Sequence, residues 1–147
     1  MQSYDVTAET PAPPSVVWSL LLDARSWPTW SAVDALEADQ SEGLSADGRD
    51  EVGAVRAFRT GKVVTKERIT ELEPGRRFAY EGAENPQLTD YRAAVELREL
   101  PGGGTRIRWH GTYRARRGMG WFMRRYLRRF MGRMAAGLAE HAATVSR

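Results

Sequence analysis

A long amphipathic segment near the C-terminus constrains the fold of this chain more than any other stretch. It runs from Gly118 to about Val145, and a step of about 100° per residue predicts one helix with two distinct faces. The apolar side collects Met119, Met123, Tyr126, Leu127, Phe130, Met134, Leu138, His141 and Val145. The opposite side collects Arg124, Arg125, Arg128, Arg129, Arg133 and Glu140. Because the apolar face is wide and the segment before it alternates like a strand, we expect this helix to pack on a sheet.

The composition indicates one domain that can fold without disulfide bonds or a structural metal ion. The chain has 147 residues, which suffices to bury a sizeable core. It has no cysteine, which excludes disulfides, thiolate metal sites and a cysteine nucleophile. The first ten residues are polar and no apolar run approaches the roughly 20 residues of a membrane span. We therefore expect a cytoplasmic protein of a single domain, residues 1–147.

The net charge of +3 conceals an uneven distribution. Residues 114–147 contain nine arginines and one glutamate, which leaves residues 1–113 net acidic. A basic helix face can attract phosphates or an anionic membrane surface. A run of charge on one helix face is more often simply solvated, so the run alone does not assign a partner.

The N-terminal part predicts a strand followed by two helical pieces. Residues 3–9 alternate as a short strand. A helix then starts at Pro13 and Pro14, which suit a first turn where no amide donor is needed, and should end near Ala24. In the following RSWPTW, Pro28 favours a short helical turn that closes on the body of the protein.

The sequence of the middle of the chain predicts six successive strands. The predicted ranges are 32–40, 52–60, 62–72, 76–83, 90–100 and 104–114, and glycine, proline or acidic turns separate them. Short breaks between strands indicate an antiparallel meander, because parallel strands need long crossover connections.

The last two strands show which side of the sheet is apolar. Tyr91, Ala93, Val95 and Leu97 share one parity, and Ile107, Trp109, Gly111 and Tyr113 share the matching one. Gly111 removes a side chain on this inward face and should leave room there. On the terminal helix, Gly137 should let the helix approach the sheet closely.

The order of these elements resembles the helix-grip fold of the START and birch-pollen-allergen-like (SRPBCC) superfamily, in its polyketide cyclase/dehydrase-like branch. The segments that carry the resemblance are APPSVVWSLLLDARSWPTW, KERITELEPGRRFAYE and GGGTRIRWHGTYRA, with the terminal helix after them. The resemblance implies an α+β fold in which a curved antiparallel sheet of about seven strands wraps a long C-terminal helix. It also implies a cavity between sheet and helix that holds an apolar or aromatic small molecule, and it implies no single reaction.

Parity and the helix wheel predict which side chains surround that cavity. The predicted ligand contacts are Trp27, Trp30, Phe58, Phe78, Tyr80, Tyr91, Trp109, Tyr113, Met119, Met123, Tyr126, Phe130 and Met134. Buried tyrosine and tryptophan need partners for their polar tips, and methionine adapts to varied ligands. For any one of these residues plain core packing is the simpler interpretation. Trp27 and Trp30 either roof the cavity mouth or anchor the short helix.

Candidates for acid–base chemistry are few. Glu67 shares parity with Val63, so an inward face would bury its carboxyl and raise its pKa, whereas the other parity leaves it solvated. Arg56 and Arg59 have opposite parities, and one of them should point inward; Arg59 is retained with Glu67 as a catalytic candidate. The two histidines lack neighbours at metal-ligand spacing, so we expect neither a metal nor a cofactor.

The leading functional hypothesis is binding of a hydrophobic or aromatic small molecule. The alternatives are a polyketide cyclase/dehydrase-type enzyme, and a lipid-handling protein that docks on anionic membranes through the arginine face. Nucleic-acid binding ranks last because residues 1–113 are acidic. We expect a monomer or a weak homodimer, with Trp121 and Phe122 as a small contact surface.

Overall fold

In residues 1–115 and 117–146, which this computed structural model describes, seven strands form one sheet and a long helix packs on it. The strands are β1 (Gln2–Thr10), β2 (Ala35–Leu36), β3 (Val55–Thr60), β4 (Val63–Glu73), β5 (Arg77–Glu84), β6 (Leu88–Glu99) and β7 (Thr105–Ala115). The α-helices are α1 (Pro14–Leu22), α2 (Trp27–Trp30) and α3 (Gly120–Val145), with 3₁₀ turns at Ala24–Ser26 and Ala38–Gln40.

The sheet is an antiparallel meander closed by the first strand. Its order is β1-β7-β6-β5-β4-β3-β2, and every neighbouring pair is antiparallel. The predicted meander is confirmed, because β2 to β7 follow one another in space as they do in sequence. β1 pairs along its whole length with β7, which brings the N-terminus beside the strand that leads into α3.

The strand predicted at 32–40 is mostly wrong. Only Ala35 and Leu36 are extended, because a side chain then takes over the partnership with β3. The Ser41 hydroxyl accepts from the Ala57 amide at 3.0 Å and donates to the Glu37 carbonyl at 2.8 Å. The first helix also ends earlier than predicted, at Leu22, because Asp23 is extended and its carboxylate accepts from the Arg25 amide at 3.1 Å.

The buried face of α3 is rotated from the predicted one. Its buried residues are Met123, Leu127, Met131, Met134, Ala135, Leu138, Ala139 and Ala142. Met119 is 41% exposed and Tyr126 is 42% exposed, so both lie at or beyond the edge of the packed stripe. The helix packs chiefly against β1, and its alanines permit a close approach that bulky residues would prevent. The alanines therefore decide the orientation, not the large apolar residues used for the prediction.

Gly137 lets α3 approach α2, and not the sheet as the sequence suggested. A Cβ atom at this position would lie 1.9 Å from the carbonyl oxygen of Trp30. The Met134 sulfur accepts a hydrogen bond from the Ala32 amide at 3.4 Å, just after the C-terminal end of α2. The two contacts fix α2 under α3 and so fix the position of its tryptophans.

Two glycines of α3 provide a matched test of this packing. At Gly132 a Cβ atom meets nothing within 4 Å, so Gly132→Ala should stabilise the protein by up to about 1 kcal/mol through helix propensity. Gly137→Ala should destabilise it by about 1–3 kcal/mol, because the added methyl group overlaps the Trp30 carbonyl. Urea unfolding followed by circular dichroism measures both changes. Equal stabilisation by the two substitutions would contradict the close contact between α2 and α3.

Candidate functional site

A cavity of about 110 Å³ lies between the inner face of the sheet and α3. Its lining residues come from α2, the four central strands, their connections and α3: Trp27, Val33, Phe58, Thr60, Val63, Thr65, Glu67, Tyr80, Asn85, Gln87, Leu88, Tyr91, Tyr126, Leu127, Phe130, Met131 and Met134. Exposed Gln87 and Tyr126 lie at the rim, whereas Trp27, Phe58 and Tyr80 are buried and form the deep end. The cavity therefore has an aromatic deep end and an exposed mouth.

About half of the predicted ligand contacts line this cavity. Those that do are Trp27, Phe58, Tyr80, Tyr91, Tyr126, Phe130 and Met134. Those that do not are Trp30, Phe78, Trp109, Tyr113, Met119 and Met123. Trp109 and Tyr113 are fully buried behind the lining, and Met119 is exposed before the start of α3. The alternation of the strands thus identified correctly which residues are buried. It did not distinguish residues that line the cavity from residues that pack in the core behind them.

Several lining residues escaped the sequence prediction. They are Val33, Thr60, Val63, Thr65, Asn85, Gln87, Leu88, Leu127 and Met131. Leu88 was missed because the strand was predicted to begin at residue 90, whereas β6 begins at Leu88 and contains a bulge of one extra residue between Thr89 and Arg92. Asp90 occupies this bulge with φ 50°, and Leu88 and Tyr91 consequently face the same side despite their opposite parities.

The two tryptophans of WPTW have different roles. The Trp27 ring stacks on Phe58 with centroids 4.9 Å apart and 17° between planes, and its indole nitrogen donates to the Leu21 carbonyl at 3.2 Å. Trp30 packs against Trp27 at 4.9 Å and donates to the Ser26 hydroxyl at 3.1 Å. Trp27 therefore forms the floor of the cavity and Trp30 anchors α2, and neither lies at the mouth.

Arg56, and not Arg59, is the arginine that points inward. The Arg56 guanidinium is buried 4.6 Å from the Trp27 ring centre, and one of its nitrogens donates to the Leu21 carbonyl at 3.0 Å. The side chain of Arg59 is 41% exposed, and its Nε lies 3.0 Å from Glu37. Arg59 thus lies away from the cavity. Arg56 does not line the cavity either, because the Trp27 ring covers it.

Glu67 is the acidic residue that lines the cavity. It faces Arg56 across the β3–β4 pairing, and its inward parity agrees with the first of the two arrangements considered. Burial raises the pKa of Glu67 to about 7, and the charge of Arg56 only partly offsets this. Its carboxylate makes no hydrogen bond within the described residues. Glu67 is therefore a lining residue whose charge changes near neutral pH.

Three tyrosines and a tryptophan form a hydrogen-bonded chain in the cavity wall. The Trp109 indole nitrogen donates to the Tyr80 hydroxyl at 3.1 Å, and the Tyr80 and Tyr91 hydroxyls are 3.1 Å apart. The Tyr91 hydroxyl also contacts that of Tyr4, which comes from β1. Desolvation raises the pKa of all three phenols, so they remain protonated at neutral pH.

Gly111 makes room for this chain and not for a ligand. A Cβ atom on Gly111 would lie 2.8 Å from the Tyr4 hydroxyl oxygen, and the two residues are direct partners in the β1–β7 register. Tyr4 was missed as a site residue because only this register brings it to Tyr91. A tyrosine paired with a glycine across two strands is the sequence signal that could have revealed it.

The N-terminal half of α3 exposes aromatic and cationic side chains together. Trp121 is 66% exposed and Phe122 is 55% exposed, and Phe122 stacks on Tyr126 with centroids 6.3 Å apart. A surface groove beside them is lined by Trp121, Arg124, Arg125, Arg128 and Arg129. None of the helices in the described part of the chain is apolar enough to span a membrane.

The raised pKa of Glu67 predicts a pH-dependent effect of Glu67→Gln on stability. Between its ordinary pKa of 4.5 and about 7, the unfolded chain loses this proton before the folded protein does. Wild-type stability therefore falls over this range relative to the neutral glutamine variant. The variant should gain up to about 3 kcal/mol relative to wild type at pH 8, and nothing at pH 4.

Urea unfolding of both proteins from pH 4 to pH 8 measures this difference. Glu73→Gln, at the exposed end of the same strand, provides the control and should show no such trend. A relative gain that shrinks as pH rises would mean that the folded protein favours the carboxylate, contrary to the burial of Glu67.

Comparison with known proteins identifies the family. The family described as "Polyketide cyclase / dehydrase and lipid transport" matches residues 1–143. No match was found among curated proteins. Similar solved structures include the protein XoxI from Bacillus cereus, with a TM-score of 0.78 at 17% identity over 100% of this chain and 99% of that one.

Two further structures share the fold. A START superfamily protein from Mycobacterium smegmatis has a TM-score of 0.77 at 12% identity, over 97% of this chain and 98% of that one. The Aha1 dimer from Colwellia psychrerythraea has a TM-score of 0.67 at 14% identity, over 95% of this chain and 97% of that one. At these identities the likeness concerns the fold alone, and it confirms the helix-grip architecture predicted from the sequence. Because the family match covers nearly all of its length, this chain belongs to the polyketide cyclase / dehydrase and lipid transport family.

Proposed function

We propose that this protein binds an apolar small molecule, aromatic or lipid-like, in the cavity between the sheet and α3. The observation that carries the proposal is a cavity of about 110 Å³ with an aromatic floor and a methionine-rich wall from α3. An apolar cavity of about 150 Å³ accommodates benzene in another protein. The part of the ligand that enters should therefore be close in size to one aromatic ring or a short branched chain.

The lining supports a ligand that extends beyond this volume. Met131 and Met134 adapt their shape readily, and Tyr126 and Phe130 form the side of the cavity that α3 contributes near the rim. A longer molecule can extend past Tyr126, which is already 42% exposed. Membership of a family described by polyketide cyclisation and lipid transport agrees with ligands of this kind.

Binding is favoured over turnover by the position of the arginines. A cyclase or dehydrase needs groups that move protons at a substrate held in a folded conformation. Glu67 and the tyrosines could supply such groups, but neither Arg56 nor Arg59 joins them at the cavity wall. The catalytic alternative therefore rests on Glu67, and the binding proposal does not need it.

Filling the cavity should abolish binding. Thr65 lines the cavity, so Thr65→Phe places a ring where the ligand would lie and should weaken binding at least tenfold. The control is Thr112→Phe, on the exposed outer face of β7, which should bind like wild type. A panel of ring-sized and short-chain apolar compounds, screened by thermal shift and quantified by titration calorimetry, gives the affinities. Equal affinities for the two variants would place the ligand outside this cavity.

A second candidate function is docking on anionic membranes, and the exposed side chains of α3 favour it. Trp121 and Phe122 project from the helix next to Arg124, Arg125 and Arg128, and these arginines have no acidic partner within 4 Å among the described residues. Aromatic side chains that enter the interface and cations that attract anionic headgroups are the two features of an interfacial helix. This surface begins beside Tyr126 at the cavity rim, so a docked protein could exchange an apolar ligand with the bilayer.

Sedimentation with phospholipid vesicles tests this second function. Vesicles with 30% phosphatidylserine should retain the protein at low salt and release it at high salt, and pure phosphatidylcholine vesicles should not retain it. Arg128→Gln with Arg129→Gln should weaken retention about 30-fold, at about 1 kcal/mol per cation. Arg92→Gln with Arg98→Gln removes the same charge from the exposed face of β6 and should not. If both double variants lost retention equally, the binding to vesicles would depend on net charge and not on this face of α3.

A further inference from the structure

The tyrosine chain contains more hydrogen-bond donors than the chain itself can use. Trp109 can only donate, so its contact with Tyr80 occupies one acceptor site on the Tyr80 oxygen. The three hydroxyls of Tyr4, Tyr80 and Tyr91 bring three hydrogens, but they share only two oxygen–oxygen contacts. One phenol hydrogen therefore has no acceptor within the chain.

Burial determines which tyrosine carries the unused hydrogen. Tyr4 is buried and does not line the cavity. Within the described residues, Tyr91 is the only side chain with which its hydroxyl makes a hydrogen bond of suitable distance and angle, and the nearby Tyr80 hydroxyl falls outside that geometry. If Tyr91 donated to Tyr4, the hydrogen of Tyr4 would have no acceptor, and an unsatisfied buried donor is rare and costly. Tyr4 therefore donates to Tyr91, and the unused hydrogen belongs to Tyr91 or Tyr80. Both of these residues line the cavity.

We propose that Tyr80 and Tyr91 present a phenol O–H to the cavity that binds a neutral carbonyl oxygen, as in a ketone or an ester, on an otherwise apolar ligand. The proposal rests on the proposed function, since it assigns the chemical class of the molecule that the cavity holds. A carbonyl oxygen is an acceptor without a hydrogen of its own, so it matches the uncommitted phenol hydrogen of Tyr80 or Tyr91. A pure hydrocarbon would leave this hydrogen unpaired.

The charges around the cavity select a neutral ligand over a carboxylate. Glu67 is the acidic lining residue, and no lysine, arginine or histidine of the described residues lines the cavity. Arg56 is covered by the Trp27 ring, and the Arg59 side chain pairs with Glu37 outside. A bound carboxylate would lie in a site of low polarity with no cation, beside a second carboxyl group, which disfavours its charged form.

Three ring-sized probes distinguish these possibilities. Acetophenone carries a carbonyl, α-methylstyrene replaces the oxygen by a methylene group at nearly the same shape, and benzoate carries a charge. Titration of the full-length protein at pH 7.5 should show that acetophenone binds about five- to tenfold more tightly than α-methylstyrene, the gain of about one hydrogen bond. Benzoate should bind at least tenfold more weakly than acetophenone.

Substitutions in the chain identify the donor. Tyr80→Phe combined with Tyr91→Phe removes the phenols of the chain that line the cavity, so the preference for acetophenone over α-methylstyrene should disappear. Tyr4→Phe is the matched control. It leaves two hydroxyls that share one contact, and one hydrogen still faces the cavity, so the preference should persist. The ratio of two affinities in one sample does not depend on the folded fraction.

Each outcome separates this inference from the proposed function. Binding of acetophenone and α-methylstyrene with equal affinity would overturn the carbonyl assignment and leave apolar binding intact. A preference that survives in the double variant would overturn the tyrosine assignment and implicate another donor of the lining, either protonated Glu67 or a threonine or amide group. Benzoate binding as tightly as acetophenone would overturn the selection for a neutral ligand. If neither neutral compound binds wild type, the proposed function itself fails.

Discussion

The buried guanidinium of Arg56 is the interaction on which the cavity depends. It lies 4.6 Å from the centre of the Trp27 ring and 5.2 Å from that of Phe78, and it shares the Leu21 carbonyl with the Trp27 indole nitrogen. One carbonyl near the end of α1 thus holds both β3 and α2. Asp50, 3.7 Å away, offsets the charge, and the aromatic faces add cation–π attraction. A buried charge is costly, and two of the three guanidinium nitrogens have no hydrogen-bond partner within the described residues, so the Leu21 carbonyl, Asp50 and the aromatic faces provide its stabilisation.

This arrangement gives the cavity one rigid wall and one adaptable wall. The floor consists of aromatic rings stacked on a buried cation, and α2 below it is held by the contact of Gly137 with Trp30. The opposite wall is made by methionines and by Tyr126 and Phe130 of α3, whose rings stack on each other at the edge of the core. Such side chains can change rotamer at little cost. In the proposed binding mode, α3 would therefore mainly set the size of the ligand, and the sheet would set its chemistry.

Periodicity in the sequence predicted which faces of the strands are buried, but it could not predict how the strands are paired. Alternation along β6 and β7 identified the inward residues of both strands, from Tyr91 in β6 to Tyr113 in β7. It did so because side chains of a pleated strand return to the same face every two residues. The bulge at Asp90 is invisible to alternation, and Leu88 was missed because the predicted strand began only at residue 90. The predicted buried face of α3 was wrong because the apolar side of this helix is wide, and several choices of buried residues fit a helical wheel equally well. Tyr4 and Gly111 could be matched only after β1 had been placed beside β7, a pairing of about 100 residues' separation.

The same distinction explains why the fold of this family is easier to recognise than its ligands. Structures that share 12–18% identity with this chain keep its architecture, so the helix-grip fold tolerates nearly any apolar residues of suitable size. Polar groups in a closed cavity are not interchangeable in this way, because each donor or acceptor left unmatched costs binding energy. In this chain the polar groups deep in the cavity are Glu67, Tyr80 and Tyr91. In the proposed binding mode, chemical selectivity would therefore reside in three side chains on β4, β5 and β6, which lie beside bulges in the sheet.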